Sequence, residues 1–386
     1  MSKLEQLIAE LCPDGVEYVA LGDCCAVEDN KRKPIKASER TAGKTPYYGA
    51  NNIQDYVDGY THDGEYVLIA EDGSSDLESY SIQYVTGHFW ANNHVHVVKG
   101  NSELDSRFLY HYLTAFNFIP YLVGGSRAKL NKSEMMKLPI PLPPLPIQHE
   151  IVRILDNFME LTAELTAELT ARKKQYEYYR NELLSTAGKL YTLNDVCTIV
   201  DCPHTSPKWH QNGVPVIRNY NLVNGYIDTT NMSYVDEKDY MERIKRITPQ
   251  KDDILFSREA PIGNVGIIPE NFICCQGQRV VLLRPNKEIV TPRYLLHILQ
   301  GAMVKEQINK VDKVGSTVSN FNIADLRRLK LSIPEISVQE IIVDKLDKFN
   351  GICSDIVEGL PAEIEARRKQ YEYYRDKLLT FKSLES

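Results

Sequence analysis

The sequence predicts an α+β protein: two globular mixed α/β segments alternating with two long helices, arranged as an internal pseudo-two-fold repeat. Three observations carry that prediction. The peptide RKKQYEYYR at 172–180 returns as RRKQYEYYR at 367–375. Ahead of each copy, apolar residues fall at steps of three and four, the spacing of a coiled-coil seam. The segments before each helix hold short β-like runs bounded by Gly, Asn and Asp. They lack the regular strand–helix alternation of a doubly wound sheet.

Taken in order, the opening MSKLEQLIAEL reads as a short amphipathic helix and lacks the charged-then-apolar pattern of a leader peptide. The first globular segment, 1–145, carries the strand-like runs EYVLIA and HVHVV. It ends in LPIPLPPLPIQ, where Pro139, Pro141, Pro143, Pro144 and Pro146 predict an extended polyproline approach, with the helix starting after the tract. The first spacer helix, 146–187, has the seam Ile151, Ile154, Phe158, Leu161, Leu165, Leu169, Tyr176, Tyr179 and Leu183. From Leu165 to Leu169, inside TAELTAEL, a second consecutive step of four shifts the supercoil locally. The second globular segment, 188–336, carries GVPVIR, DDILFS, VGIIP and RVVLLR. The second spacer helix, 337–386, repeats the seam through Phe349, Tyr371, Tyr374 and Leu378. Within EGLPAEIE, Gly359 and Pro361 predict a kink, or one helix ending and another beginning. The repeat also reaches upstream of the helices. IQHEIVRILDNF (147–158) matches VQEIIVDKLDKF (338–349), SRFLYHYL (106–113) matches PRYLLHIL (292–299), and LGDCCAVED (21–29) matches LNDVCTIVD (193–201).

Composition limits the function. The 386 residues suffice for two cores, and 43% hydrophobic with 25% charged residues is ordinary for a water-soluble fold. No apolar run reaches the ~18 residues of a membrane span, so a cytoplasmic protein is expected. The eight cysteines include no CxxC pair and read as buried free thiols. Net charge is −7, unevenly spread: residues 1–150 hold 13 Lys/Arg against 20 Asp/Glu, whereas 186–338 hold 19 against 16. A nucleic-acid partner would therefore meet local basic patches. Neither GxGxxG nor GxxxxGK[ST] is present, so no glycine loop is indicated to cradle a phosphate. His94 and His96 alternate on one strand face without a third ligand and read as a surface pair, and no metal site is expected.

Polar, glycine-flanked loops supply candidate DNA contacts, because Arg, Asn and Gln can pair bidentately with base edges while Lys and Ser suit phosphates. In the first segment these are Tyr47, Tyr48, Asn51 and Asn52, with Arg127, Lys129 and Asn131 in the loop after Gly125. In the second they are Lys208, Arg218, Asn219, Ser257, Arg258, Gln276 and Arg279, with Ser316, Thr317 and Asn320 in the loop after Gly315. Helix packing is assigned to Phe158, Leu165, Leu169, Tyr176, Tyr179, Phe349, Tyr371 and Tyr374.

With the repeat assembled, the chain resembles the specificity subunit of a type I restriction-modification system. The elements IPLPPLPIQHEIVRIL and IPEISVQEIIVDKL, each leading to KQYEYYR, carry the resemblance, with YYGANNIQDYV and ILFSREAPIGNVGI inside the variable segments. It implies two target recognition domains that each read half of a split double-stranded DNA target, held apart by antiparallel spacer helices. It also implies two methyltransferase subunits and restriction/translocase subunits as partners. S-adenosylmethionine, ATP and Mg would then belong to those partners, and this chain would be non-catalytic. Consistent with that, the NPPY or DPPY signature of DNA amino-methyltransferases is absent. The rival readings are a coiled-coil protein–protein scaffold without DNA binding, and an enzyme using His94 and His96 with a carboxylate.

Overall fold

The computed structural model describes residues 3–124, 128–203, 205–312 and 321–384, with 312 and 350–358 as backbone alone. It divides into two units: residues 1–167 with 361–386, and residues 168–360. Each unit therefore combines one globular segment with half of each long helix.

In the first unit a six-stranded sheet runs in the spatial order Cys25–Val27, Val95–Gly100, His62–Ala70, Ile82–Ala91, Ala42–Tyr48, Ile53–Val57. Its pairs are antiparallel except where Tyr47 and Tyr48 lie beside Trp90 and Ala91. The run Tyr66–Ala70 is buried on both faces, which suits a central strand covered on each side. Helix Ser106–Ala115 packs Phe108, Leu109 and Leu113 into the core with Val67 and Ile69. Its start is fixed by Asp105, whose carboxylate accepts from the Phe108 amide at 2.8 Å.

In the second unit Cys197–Val200, Val280–Pro285, Ile254–Ser257 and Val265–Ile267 form a four-stranded antiparallel sheet. Beside it, Val214–Ile217 pairs antiparallel with Ser233–Val235 and parallel with Cys275–Gln276. Helix Pro292–Leu299, capped by Thr291, buries Tyr294, Leu295 and Leu299.

The proline approach is a strand rather than free polyproline. Pro139–Pro141 pairs antiparallel with Tyr18–Ala20, and Lys330–Ile333 pairs with Lys189–Thr192 in the second unit. Prolines fit there because the flanking Leu138 carbonyl and Leu142 amide supply the bonds to Leu21 and Glu17. The first long helix, Leu145–Leu184, begins inside the tract, with Pro146 in the first turn, where a missing N–H costs nothing. The second, Ile336–Leu378, is one helix with Pro361 inside it, so of the two readings at Gly359–Pro361, a kink or a split, the split is corrected to a continuous element.

Matching residues dock the helices. Buried Gln148 donates to the carbonyls of Glu103 and Pro143 and accepts from the Asp105 amide, while buried Gln339 donates to Ile289 and Pro334 and accepts from Thr291. Each glutamine thus ties a long helix to the cap of the shorter helix beneath it. Asp156 takes Arg107 and His111, and Asp347 takes Arg293 and His297. Burial lowers the His111 pKa despite the Asp156 hydrogen bond, so the ring is held neutral, accepting from the Tyr371 hydroxyl at 3.1 Å.

The seam exchanges partners between the repeats. In the first unit Phe158 stacks on Tyr374 (ring centroids 5.3 Å apart), and in the second Phe349 meets Tyr179 at 5.1 Å. In the first unit Ile151 and Leu155 share a core with Leu379, whereas the later Phe158 meets the earlier Tyr374, so these helix segments run antiparallel. Leu165, Leu169 and Tyr176 are half-buried along the same seam. No helix among the described residues is long and apolar enough to cross a membrane.

Candidate nucleic-acid interface

Five loops of the second unit, four of them flagged in the sequence, meet at one end of its sheets. The amide of Asn219 donates to the Ala260 carbonyl at 2.7 Å, and Gln278 donates to the Ser206 hydroxyl at 3.1 Å. The Arg258 guanidinium lies 3.4 Å from Asp201, and Arg279 Nε lies 2.7 Å from Glu259. The Lys208 amide donates to Asp239, leaving the Lys208 side chain exposed. Arg218 lies between Trp209 and Tyr220, its guanidinium carbon 5.3 and 4.9 Å from the ring centres. Trp209 is 47% exposed, a large aromatic left in solvent beside the Arg218 guanidinium. A planar cation backed by aromatic rings is well suited to a base or phosphate.

In the first unit the corresponding loops also converge. Asn51 donates to the Gly73 carbonyl at 2.7 Å and accepts from the Ser75 amide, tying the 48–54 and 71–76 loops together. Asn52 is exposed and caps its own turn through Ile53, while Tyr48 is half-buried with its carbonyl taking the Asn92 amide. Asp72 holds both His94 and Lys129, the latter at 3.0 Å. Burial raises the Asp72 pKa, but the hydrogen bonds from His94 and Lys129 outweigh it and leave the carboxyl below the usual aspartate range. Asn131 is exposed beside Lys129.

The two faces share a pair of equivalent backbone bonds. Glu71 donates to the His94 carbonyl at 2.9 Å and accepts from the Leu130 amide at 2.8 Å, and Arg258 does the same with Arg279 (2.9 Å) and Phe321 (2.8 Å). Each residue follows the central strand of its sheet. Asp72–His94 and Glu259–Arg279 are therefore the same acid–base pair in two repeats, and Asp29 and Asp201 close the matching segments LGDCCAVED and LNDVCTIVD.

Three candidates are corrected. Tyr47 is 1% exposed, its hydroxyl accepting from the Ile35 amide, and its ring lies under Arg40. Ser257 is fully buried and donates to the Glu259 carbonyl. Gln276 is buried and donates to Val200 and Val280. All three build the loops from beneath, because their polar groups are used up inside the protein. Arg127, Ser316, Thr317 and Asn320, with Gly125 and Gly315, lie outside the described residues. His96 is also corrected: it is buried, with its ring nitrogens facing Asp29 and the Leu130 carbonyl at 2.7 and 2.8 Å. No group of three or more metal-ligating side chains occurs among the described residues.

Sequence reasoning missed Asp72, Glu259, Trp209 and Tyr220. Trp209 follows the candidate Lys208 and could have been found as a lone Trp in a proline-containing loop. Glu259 lies beside Arg258 inside ILFSREAPIGNVGI, while Asp72 had no such signal.

Comparison with known proteins gives a consistent answer. The family model for the type I restriction modification DNA specificity domain matches residues 13–172 and again 189–366. A protein of Haemophilus influenzae named as a type I restriction enzyme specificity subunit is 43% identical over 95% of this chain and 96% of its own length. The specificity subunit of a type I restriction enzyme of Escherichia coli is 30% identical over 99% of this chain and 97% of its own. Among solved structures, the type I restriction-modification S subunit from M. genitalium has the same fold, with a TM-score of 0.56 at 15% identity over 95% of this chain and 96% of that one.

Proposed function

We propose, because this chain belongs to the type I restriction modification DNA specificity family, that it is the DNA-reading specificity subunit of such a system. The observation that carries this reading is the pair of loop clusters framed by the same two backbone bonds, in units that each carry the same glutamine-and-aspartate clamp. Both clusters offer cations, amides and aromatic rings on a pre-set backbone, while the residues between the matched bonds differ. That is what two readers of different half-sites require: a common frame with separate base contacts.

The chain also assembles the complex. The duplicated QYEYYR segments keep Tyr178 and Tyr373 exposed at 64% and 61% beside basic residues, giving two equivalent docking places. Two methyltransferase subunits fit that duplication, with restriction/translocase subunits joining them in the cytoplasm. S-adenosylmethionine, ATP and Mg serve catalysis in those partners, and this chain contributes binding alone. The acidic balance of residues 1–150 fits local contacts on the loop face.

The test is methylome sequencing of cells carrying the chain with its methyltransferase, before and after residues 190–336 are exchanged for the equivalent segment of a relative. A bipartite motif with one altered half-site is expected. Alteration of both halves would show that the two segments do not read independently. DNA affinity without salt dependence would favour the protein scaffold instead, since phosphate contacts weaken steeply with added salt.

A further inference from the structure

We propose that Arg279, aimed by Glu259, reads a guanine in the half-site of the second unit; this rests on taking the converging loops as the DNA face. Arg279 is 58% exposed, and its Nε is occupied by Glu259 at 2.7 Å. With Glu259 against Nε and more than half of the side chain exposed, the guanidinium end of the fork has solvent access for its two parallel Nη donors. Guanine presents two acceptors, N7 and O6, on its major-groove edge at the matching separation. An arginine meant for a phosphate would gain from having no acid beside it. Glu259 repels phosphate yet leaves an uncharged base edge acceptable, so the pairing favours base over backbone.

The backbone carries an independent observation. Arg279 has φ +73°, and among the described residues the other non-glycine positions with positive φ are Asn or Asp, which adopt that region more readily. The conformation is pinned at both ends: the Arg279 amide donates to the Cys202 sulfur at 3.2 Å and its carbonyl accepts from Arg258 at 2.9 Å. Glu259 is fixed as well, its carbonyl taking the buried Ser257 hydroxyl at 2.7 Å. A strained, over-determined residue at a loop tip marks a position where the side chain's placement matters. Glycine would relieve the strain and lose the fork. In the first unit the same place holds His94 on Asp72, with Lys129 on the other carboxylate oxygen. A single imidazole edge cannot form the end-on bidentate pair, so the two half-sites differ at this position.

The test uses the chain assembled with its methyltransferase subunits, scored by selection of bound duplexes from a randomised pool. Arg279→Ala should lower guanine preference at one base pair about 10- to 100-fold, while Arg279→Lys, a point charge without the planar fork, should retain part of it. Arg279→Gln should move the preference at that position towards adenine, with the other half-site and the gap unchanged. Arg279→Gly should lose discrimination with a thermal midpoint no lower than the parent's, separating reading from folding. Glu259→Gln, a positioning change, should keep guanine preferred, blunt the discrimination and steepen the salt dependence of binding, because a repelling carboxylate is gone. An unchanged motif in the Arg279 variants, or uniform weakening across all sequences, overturns the proposal. Lys208→Ala and Arg218→Ala separate the two readings. If they weaken DNA binding while the Arg279 variants keep the motif, only the guanine assignment fails; if neither set changes binding or motif, the loop face itself is misassigned.

Discussion

The two units differ least where they hold the long helices and most where their loops meet. Gln148 and Gln339 make the same three bonds, and Asp156 and Asp347 take the same Arg and His partners. Above them, Glu71 in one unit stands where Arg258 does in the other, with opposite charge in the same two backbone bonds. The difference teaches that the duplication preserves mechanical geometry while leaving the exposed chemistry free to diverge. One contrast falls within the frame itself. His111 Nδ1 meets the Tyr371 hydroxyl, whereas His297 Nδ1 is buried without a partner among the described residues.

The largest expected effect comes from removing the inequality of the spacers. Phe158 and Arg172 are closer in sequence than Phe349 and Arg367 by one TAEL unit, and the division between units falls at Ala167–Glu168, inside that repeat. Inserting one TAEL lengthens the first helix by ~6 Å at ~1.5 Å per residue, against a DNA rise of ~3.4 Å per base pair. Methylation mapping should show the gap widened by one or two base pairs and both half-sites unchanged; an unaltered gap would end the idea of the helices as a ruler.

A smaller effect sharpens the shared clamp. Gln148→Ala and Gln339→Ala each remove three hydrogen bonds and strand buried backbone groups, at a cost of about 2–4 kcal/mol. Chemical denaturation should give similar losses for both, each confined to its own unit. A loss in one variant alone would mean that the two clamps are alike in form but unequal in energy.

The smallest effect addresses the histidine contrast. The folded His111 pKa lies below its unfolded value of 6.5 because burial disfavours the imidazolium. The unfolded chain therefore binds more protons, and the stability this group contributes is full above pH 6.5 and lost as pH falls through the folded value. Tyr371→Phe leaves Nδ1 in the state of His297 and should cost the first unit about 1 kcal/mol. Equal denaturation midpoints for parent and variant would show that the hydroxyl adds nothing.

The sequence made the frame legible because its residues recur at matched spacing and pack at fixed periods. The seam Phe158, Tyr179, Phe349 and Tyr374 follows directly from steps of three and four. The Pro139–Pro141 strand was hidden, since proline argues against pairing and only the flanking Leu138 and Leu142 bonds rescue it. The loop face was half legible. Glycine-flanked polar residues marked where the chain turns, but Tyr47, Ser257 and Gln276 look identical in sequence to exposed neighbours and are distinguished only by burial. The match of Glu71 with Arg258 could not be read at all, because it lies in the backbone.

The half-and-half division of the long helices also bears on how the protein is made. The core of the first unit includes Leu379, with Tyr371 and Phe381 packed on it, so its last wall arrives only after residues 168–360 have left the ribosome. The segment synthesised first is thus the one completed last. Until then Phe108 and Ile151 wait with apolar surface uncovered, and a nascent chain stopped before residue 361 presents that surface to chaperones and proteases.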